Sequence, residues 1–398
     1  MSKQLIRKTT EAVIKVYKKE NPSFVQTIDG DEYFGTWSKF TIHKLKMPPI
    51  AFQGSRLLDV GCGTGEKSLV YARLGATVEG IDANEKAIQL AVRRAKEWKL
   101  NGRASFKTQS VFELDVKGPY DIVVSDGMIH HTADPKRAFG RFAPLVKGGG
   151  VLILGLAEPS GFFQRQLQRY FVNRIAGGGD EECKVQVASM LFGTIIRRAS
   201  KSSGRSIKST VYDSFINPQV IPISIGDLRN WMSHYGIELD TTWPPLGLPV
   251  QADSQYHPLL PFSHEAVKQW ENITRLFWLL NDENDAVRFR KYSNYHKGLA
   301  CFLEKVGEIC GDRHLNRMAI GDVLDKIGGL ATNPMPGYQI GKDARRLLNE
   351  VLLVDHRIDS LSKEKKDPVA VAKSIKFKRL FSGFSGVGMV YYRGTKSL

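Results

Sequence analysis

The sequence is poor in cysteine and has no long apolar run. Only four of its 398 residues are cysteine, and these have no paired metal-ligand spacing. So few cysteines cannot form a disulfide scaffold, which predicts a reduced, intracellular protein without a metal site. No segment approaches the ~20 apolar residues of a membrane span, and residues 1–20 lack a signal-peptide core. We therefore expect a cytoplasmic protein with no transmembrane segment.

Acidic residues are the minority among the charged ones. Lys and Arg number 57 against 41 Asp and Glu, a formal net charge of +16. The excess lies in residues 1–50, 161–210 and 361–398, and residues 161–210 carry nine basic against three acidic side chains. Residues 211–360 are net acidic. This distribution predicts an anionic or surface-bound acceptor, of which nucleic acid is one form.

Strands and helices alternate over the first third of the chain. Residues 56–60 predict a buried strand, 61–65 a glycine turn and 66–74 a helix, and similar units follow as far as residue 155. Asn84 is expected to cap the second of these helices. The alternation predicts βαβ units and therefore an α/β fold with helices on both faces of a parallel sheet.

The turn after the first strand contains Gly61, Gly63 and Gly65. A dinucleotide-binding turn has its third glycine three residues after the second, where Glu66 stands here. We expect a carboxylate at this position to repel a diphosphate, which disfavours a nicotinamide cofactor. Asp59 before the turn suits an ammonium group, and Asp82 at the end of the second strand suits ribose hydroxyls. The two acids predict a nucleoside ligand without a diphosphate.

Four stretches, residues 57–65, 78–84, 120–131 and 145–153, together resemble the class I S-adenosylmethionine-dependent methyltransferases. The resemblance implies a Rossmann-like seven-stranded methyltransferase sheet with helical insertions and an antiparallel last strand. It also implies S-adenosyl-L-methionine as the cofactor. The positions that it assigns to cofactor binding are Asp59, Gly61, Cys62, Gly63, Gly65, Asp82, Ala83, Ser110, Val111, Ser125 and Asp126.

The same resemblance divides the chain into core and insertions. The expected parts are an N-terminal helical or lid segment (1–47), the S-adenosylmethionine-binding core (48–158), a basic insertion (159–221), a core helix and strand (222–245), a helical acceptor-side insertion (246–385) and the last core strand (386–398). Within the second insertion, helical patterns cover residues 264–281, 295–310, 319–328 and 342–358.

Candidate catalytic residues follow the fourth strand. His130 and His131 lie at the carboxyl edge of the predicted sheet, where ligands bind in open α/β folds. Either histidine is a candidate general base, and the alternative for each is packing against the next helix. Asp134, directly before Pro135, predicts a helix cap. Tyr212 and Asp213, in the basic insertion, are candidates for contact with the substrate.

These features favour a methyltransferase that acts on an oxygen or nitrogen of a small-molecule, glycan or lipid-linked acceptor. The insertions would then shape the acceptor site. The positive net charge keeps open an RNA or protein acceptor as an alternative. A second alternative is a non-catalytic nucleoside-binding scaffold protein in which the insertions mediate assembly.

Overall fold

The computed structural model describes residues 8–9, 11–16, 30–244, 338–363, 367–377 and 389–398. The helices expected at 264–281, 295–310 and 319–328 lie outside these ranges. The helix expected at 342–358 lies within a longer helix, Tyr338–Lys363.

Seven strands form one mixed sheet in the order β3-β2-β1-β4-β5-β7-β6. Strand β7 is antiparallel to both of its neighbours, and the pairs among β1 to β5 are parallel. This confirms the predicted α/β fold with an antiparallel last strand. The strands are β1 (Arg56–Val60), β2 (Thr77–Asp82), β3 (Ala104–Thr108), β4 (Tyr120–Asp126), β5 (Val146–Leu156), β6 (Ile237–Trp243) and β7 (Val390–Lys396).

Helices cover both faces of this sheet, and for that reason β1 has four consecutive buried residues rather than an alternating pattern. The described helices of the core are α1 (Gly30–Lys39), α2 (Glu66–Arg73), α3 (Glu85–Glu97), α4 (Pro135–Phe142) and α8 (Ile225–His234). Those between α4 and α8 are α5 (Pro159–Ala176), α6 (Glu181–Ser203) and α7 (Ile207–Val211), and two later ones are α9 (Tyr338–Lys363) and α10 (Pro368–Ser374).

Two helix caps test the local sequence predictions, with opposite outcomes. The Asp134 side chain accepts a hydrogen bond from the Arg137 amide at 3.0 Å, so Asp134 caps α4 as expected. The cap predicted for Asn84 is wrong, because its side chain makes no capping hydrogen bond although it precedes α3. Its backbone amide instead donates to Asp82 Oδ1 at 2.7 Å. Because its side chain does not cap the helix, the side-chain amide of Asn84 is available for another role.

Helices from the two predicted insertions share one apolar core. Phe163 and Leu167 of α5 are buried in the same cluster as Val351 of α9. Tyr170 of α5 donates a hydrogen bond of 2.7 Å to the buried Asp355 of α9. The apolar stripe of α5 is thus buried inside the protein. In the part of the chain that the structure describes, no helix is both long and apolar enough to span a membrane.

Candidate active site

A cleft opens at the carboxyl edge of β1, β2 and β4, with a volume of about 830 Å³ including its open mouth. Such an edge is where ligands bind in open α/β sheets. Val13 and Ile14 of the N-terminal segment also line it. Of the positions predicted to bind the cofactor, the following lie on its walls: Gly61, Ala83, Asp82, Ser110, Val111 and Asp126.

The remaining predicted positions lie behind the residues that line the cleft. Ser125 is fully buried and donates to the Val60 carbonyl at 3.0 Å. Gly65, at φ +83°, lies against α3, where a Cβ would stand 2.7 Å from Ala91 Cβ. Burial raises the pKa of the Cys62 thiol well above its ordinary value, so the thiol stays protonated and a nucleophilic role is disfavoured.

Asp82 is held in place by two backbone amides. Its Oδ2 accepts from Gly63 N at 2.9 Å, and its Oδ1 accepts from Asn84 N at 2.7 Å. Burial raises the pKa of this carboxyl group, and the two hydrogen bonds oppose that rise. A carboxylate oxygen can accept more than one hydrogen bond, so Asp82 retains capacity for ligand hydroxyls.

Two side chains that the sequence did not single out as ligand contacts complete this wall. Asn84 is buried, and within the described part of the chain neither its Oδ1 nor its Nδ2 has a hydrogen-bond partner. Gln109 Oε1, which also borders the cleft, is buried without a partner among the same residues. Buried polar atoms are rarely left unpaired, so these groups fit a polar ligand such as a nucleoside.

Asp59 lies behind the glycine turn. Ser68 Oγ donates to its Oδ2 at 2.6 Å. Burial is the largest effect on this carboxyl group and raises its pKa to about 7, although the Ser68 hydrogen bond lowers it. An ammonium group next to Asp59 would favour the ionised form.

The argument from Glu66 against a diphosphate requires correction. Glu66 is buried at the start of α2, and its carboxylate forms an ion pair with the Arg94 guanidinium of α3. Arg94 also donates to the Thr64 carbonyl at 3.1 Å, which ties the glycine turn to α3. Because Arg94 compensates the charge of Glu66, this acid stabilises the turn, and it no longer argues against a diphosphate.

Asp126 connects the cleft to the N-terminal and C-terminal parts of the chain. Its carboxylate pairs with Lys67 of α2. The Lys67 ammonium lies 3.9 Å from the ring centroid of Trp37 in α1. Tyr391 of β7 also forms a hydrogen bond with Asp126, and burial raises the pKa of this tyrosine well above its usual value. These contacts hold α1 at the edge of the cleft.

The structure assigns different places to the two candidate histidines. His130 is buried, and its Nδ1 accepts from the Ala157 amide at 3.4 Å. His131 lines the cleft, and its Nδ1 lies 2.8 Å from the carbonyl oxygen of Gln219. The same Nδ1 lies 3.1 Å from Asn217 Nδ2. The contact with the carbonyl is the shorter one, and because a carbonyl only accepts, it favours the tautomer with the proton on Nδ1 and a basic Nε2. Only His131 is placed to meet a ligand in the cleft.

Charged side chains of the insertion surround His131. Its Nε2 lies 4.0 Å from Asp213 Oδ1, while Asp213 Oδ2 accepts from Arg205 Nη1 at 3.1 Å. Burial lowers the pKa of His131, more than Asp213 raises it, so the ring is neutral at pH 7. Tyr212, the other predicted substrate contact, is buried and donates to Glu181 Oε2 at 2.9 Å. The structure thus brings together Asp213 and His131, whereas Tyr212 packs away from them.

Sequence comparisons with known proteins point to the same part of the chain as this cleft. Residues 51–172 match a family model described as a methyltransferase domain. A ubiquinone biosynthesis O-methyltransferase of Caulobacter sp. (strain K31) is 39% identical over 103 residues, which are 26% of this chain and 41% of that protein. The enzyme of the same name from Xanthomonas campestris pv. campestris (strain B100) is 32% identical over 139 residues, 34% of this chain and 57% of its own length. This chain thus spans about half the length of these curated relatives.

Among solved structures, magnesium protoporphyrin IX methyltransferase from Synechocystis PCC 6803 with bound SAM aligns with 17% identity and a TM-score of 0.33. The alignment covers 58% of this chain and 82% of that one. The match over residues 51–172 is to a methyltransferase domain, and the strand order with its antiparallel last strand agrees with the sheet that the class I resemblance implies.

Proposed function

We propose that this protein transfers a methyl group from S-adenosylmethionine to a hydroxyl oxygen of a small-molecule acceptor. The observation that carries the proposal is the position of His131, which lines the same cleft as the groups that we assign to nucleoside binding. The relatives named as O-methyltransferases support oxygen as the acceptor atom. The free thiols of Cys62 and Cys183 agree with a reducing, cytoplasmic location.

One half of the cleft, which contains Asp82, Asn84 and Gln109 and is named here the cofactor half, binds and orients the cofactor. Asp82 is positioned to accept the ribose hydroxyls, and the unpartnered side-chain amide of Asn84 and the unpartnered Oε1 of Gln109 are available to the ligand. Asp59, which lies behind the glycine turn and accepts a hydrogen bond from Ser68, is the acid that we assign to an ammonium group. When bound, S-adenosylmethionine supplies an electrophilic methyl group on a sulfonium. The contribution of the chain is to align this ligand with the acceptor and to exclude water.

The other half of the cleft, which contains His131 and is named here the acceptor half, accepts a proton from the acceptor. His131 Nε2 is placed to accept the hydroxyl proton of the acceptor, since Gln219 fixes the ring in the required tautomer. The imidazolium that results is stabilised by Asp213, whose Oδ1 lies 4.0 Å away. His131 and Asp213 therefore form a pair of base and supporting acid, which favours an acceptor that must lose a proton.

The first test measures cofactor binding by calorimetry with S-adenosylhomocysteine. Asp82→Ala is expected to weaken binding by about 10- to 100-fold, because hydrogen bonds to a charged group are worth about 1.5–3 kcal/mol. Asn84→Leu should weaken it less while leaving the melting temperature of the free protein unchanged or higher, because the amide has no partner to lose. Wild-type protein that binds no S-adenosylhomocysteine would refute the proposal.

The second test identifies the acceptor class. Cell extract is incubated with methyl-labelled S-adenosylmethionine and the enzyme, then separated into small molecules, lipids, RNA and protein. Label in the small-molecule fraction that depends on Asp82 supports the proposal. Label in RNA or protein would contradict it in favour of the polymer alternative. Tight cofactor binding without transfer to any fraction would favour a non-catalytic scaffold.

A further inference from the structure

Three arginines of the basic insertion lie near Asp213, the acid next to His131. Arg165 and Arg169 belong to α5, and Arg205 follows α6. Asp213 lies among them, since its carboxylate pairs with Arg205 and its charge also acts on Arg165 and Arg169. In the described ranges, no other carboxylate acts on Arg165 or Arg169. Three guanidinium groups thus share one acid.

The partners of the three arginines differ. Arg169 donates to the carbonyl oxygens of Ser214, at 3.3 Å, and Asn217, at 2.6 Å, both of which are neutral. Arg165 lies over the ring of Phe215, 5.2 Å from its centroid. As far as the structure describes the chain, Arg165 makes no hydrogen bond or ion pair. Its charge is therefore balanced, among the described residues, by the shared Asp213 carboxylate without a direct ion pair, which leaves a half-buried guanidinium able to pair with an anion.

A second unsatisfied group lies on the same face of α5. Gln168 is three residues from Arg165 and adjacent to Arg169, so helical periodicity directs the three side chains to one side. Gln168 is fully buried, yet neither its Oε1 nor its Nε2 has a hydrogen-bond partner within the described residues. A buried amide that is unpaired beside an unpaired guanidinium indicates a site for a polar ligand.

This group lies close to the proposed base. One carboxylate, that of Asp213, reaches both His131 Nε2 at 4.0 Å and Arg205 Nη1 at 3.1 Å. Burial raises the pKa of Tyr33 in α1 and has the largest effect on it. The charge of Asp126 also raises this pKa, and the charge of Arg205 lowers it. The charge of Arg205 thus acts both on Asp213 in the insertion and on Tyr33 in α1. Asp213 thus links His131 to the arginines.

We propose that Arg165, Gln168, Arg169 and Arg205, named here the arginine pocket, bind an oxyanion on the acceptor, either a carboxylate or a phosphate ester. The acceptor is then a small anionic molecule with a hydroxyl group near its charge. The planar fork of a guanidinium matches both kinds of oxyanion through two parallel hydrogen bonds. This inference rests on the proposed function and specifies its substrate class.

The test compares charged and neutral probes of equal shape. Benzoate, phenyl phosphate and benzamide are titrated into the full chain saturated with S-adenosylhomocysteine. At least one anion is expected to bind about 10- to 100-fold more tightly than benzamide, the range given by hydrogen bonds to a charged group. The tighter of the two anions distinguishes carboxylate from phosphate. Equal affinity for all three probes would overturn the inference.

Variants then locate the effect. Arg165→Gln should abolish the preference for the anion, and Arg165→Lys should retain part of it, because lysine keeps the charge but loses the fork. Arg93→Gln, on the exposed face of α3, is the matched control and should leave the preference intact. Each variant is checked for its melting temperature and for unchanged affinity for S-adenosylhomocysteine.

The outcomes separate this inference from the proposed function. Protein that binds S-adenosylhomocysteine but has no anion preference, or an anion preference that survives Arg165→Gln, rejects only the arginine pocket. Protein that does not bind S-adenosylhomocysteine rejects the methyltransferase proposal itself. If Arg165→Gln does not fold, the partial loss expected for Arg165→Lys decides the question.

Discussion

The two halves of the cleft are built in different ways. The cofactor half comes from turns that directly follow β1, β2 and β3, and its polar groups are acids, amides and backbone N–H groups. The acceptor half combines the turn after β4 with α5 and residues 205–219, and its charged groups are mainly arginines. One half is thus assembled from neighbouring loops of a sheet edge, and the other from segments distant in the sequence that hydrogen bonds and packing hold together.

This comparison assigns separate effects to the two halves. Residues of the cofactor half should govern ligand affinity and local stability. Residues of the acceptor half should govern turnover and the choice of acceptor. A mutation in one half that changes the property of the other would contradict the division.

The largest expected effect is on turnover in the acceptor half. His131→Ala should lower kcat about 10²- to 10⁴-fold, the usual contribution of general acid–base catalysis, without changing the affinity for S-adenosylhomocysteine. His234→Ala, on the exposed end of α8, is the matched control. In the wild type, the acidic limb of the kcat/KM profile should lie below pH 6.5, because burial lowers the pKa of His131. A limb above that value would exclude His131 as the base.

A smaller effect is expected on the stability of the cofactor half. Glu66→Ala leaves Arg94 buried without its carboxylate and should cost about 3–5 kcal/mol of unfolding free energy, as for other broken buried ion pairs. Denaturant unfolding measures this cost. Asp31→Ala removes an exposed ion pair with Arg73 and should cost less than about 1 kcal/mol. Similar costs for the two variants would show that the Glu66 pair does not support the glycine turn.

The smallest effect is a pH dependence of cofactor affinity. Asp59 has its pKa raised to about 7, so it ionises as pH rises through 7. If its carboxylate accepts an ammonium group, affinity for S-adenosylhomocysteine should increase several-fold between pH 6 and 7.5, and Asp59→Asn should remove that slope. In the free protein the sign is opposite: the raised pKa favours the folded state when protonated, so this contribution to stability declines as pH rises towards 7.

The sequence predicted the sheet and six cofactor positions that line the cleft. It did so because a glycine turn and acids at strand ends are local features whose spacing is set by the βαβ unit. Asn84 shows the limit of local reasoning. Its position before α3 suggested a cap, but its side chain makes no capping hydrogen bond and lines the cleft instead.

The sequence also could not predict which charged side chains form ion pairs with each other. Glu66 and Arg94 lie on separate helices, so the sequence showed an acid at the turn without the base that compensates it. His130 and His131 are adjacent and chemically identical in the sequence. Only the contact with Gln219, 88 residues away, distinguishes the one that lines the cleft.

The sequence by itself determined the class of fold, the glycine turn, the acid at the end of β2 and the positive charge of the basic insertion. The tertiary structure alone decided which histidine faces the cleft, which acids are compensated and where the arginines of α5 meet Asp213. The reason is physical. Backbone patterns depend on neighbours within one turn of helix or strand, whereas burial and ion pairing depend on groups that only folding brings within a few ångströms.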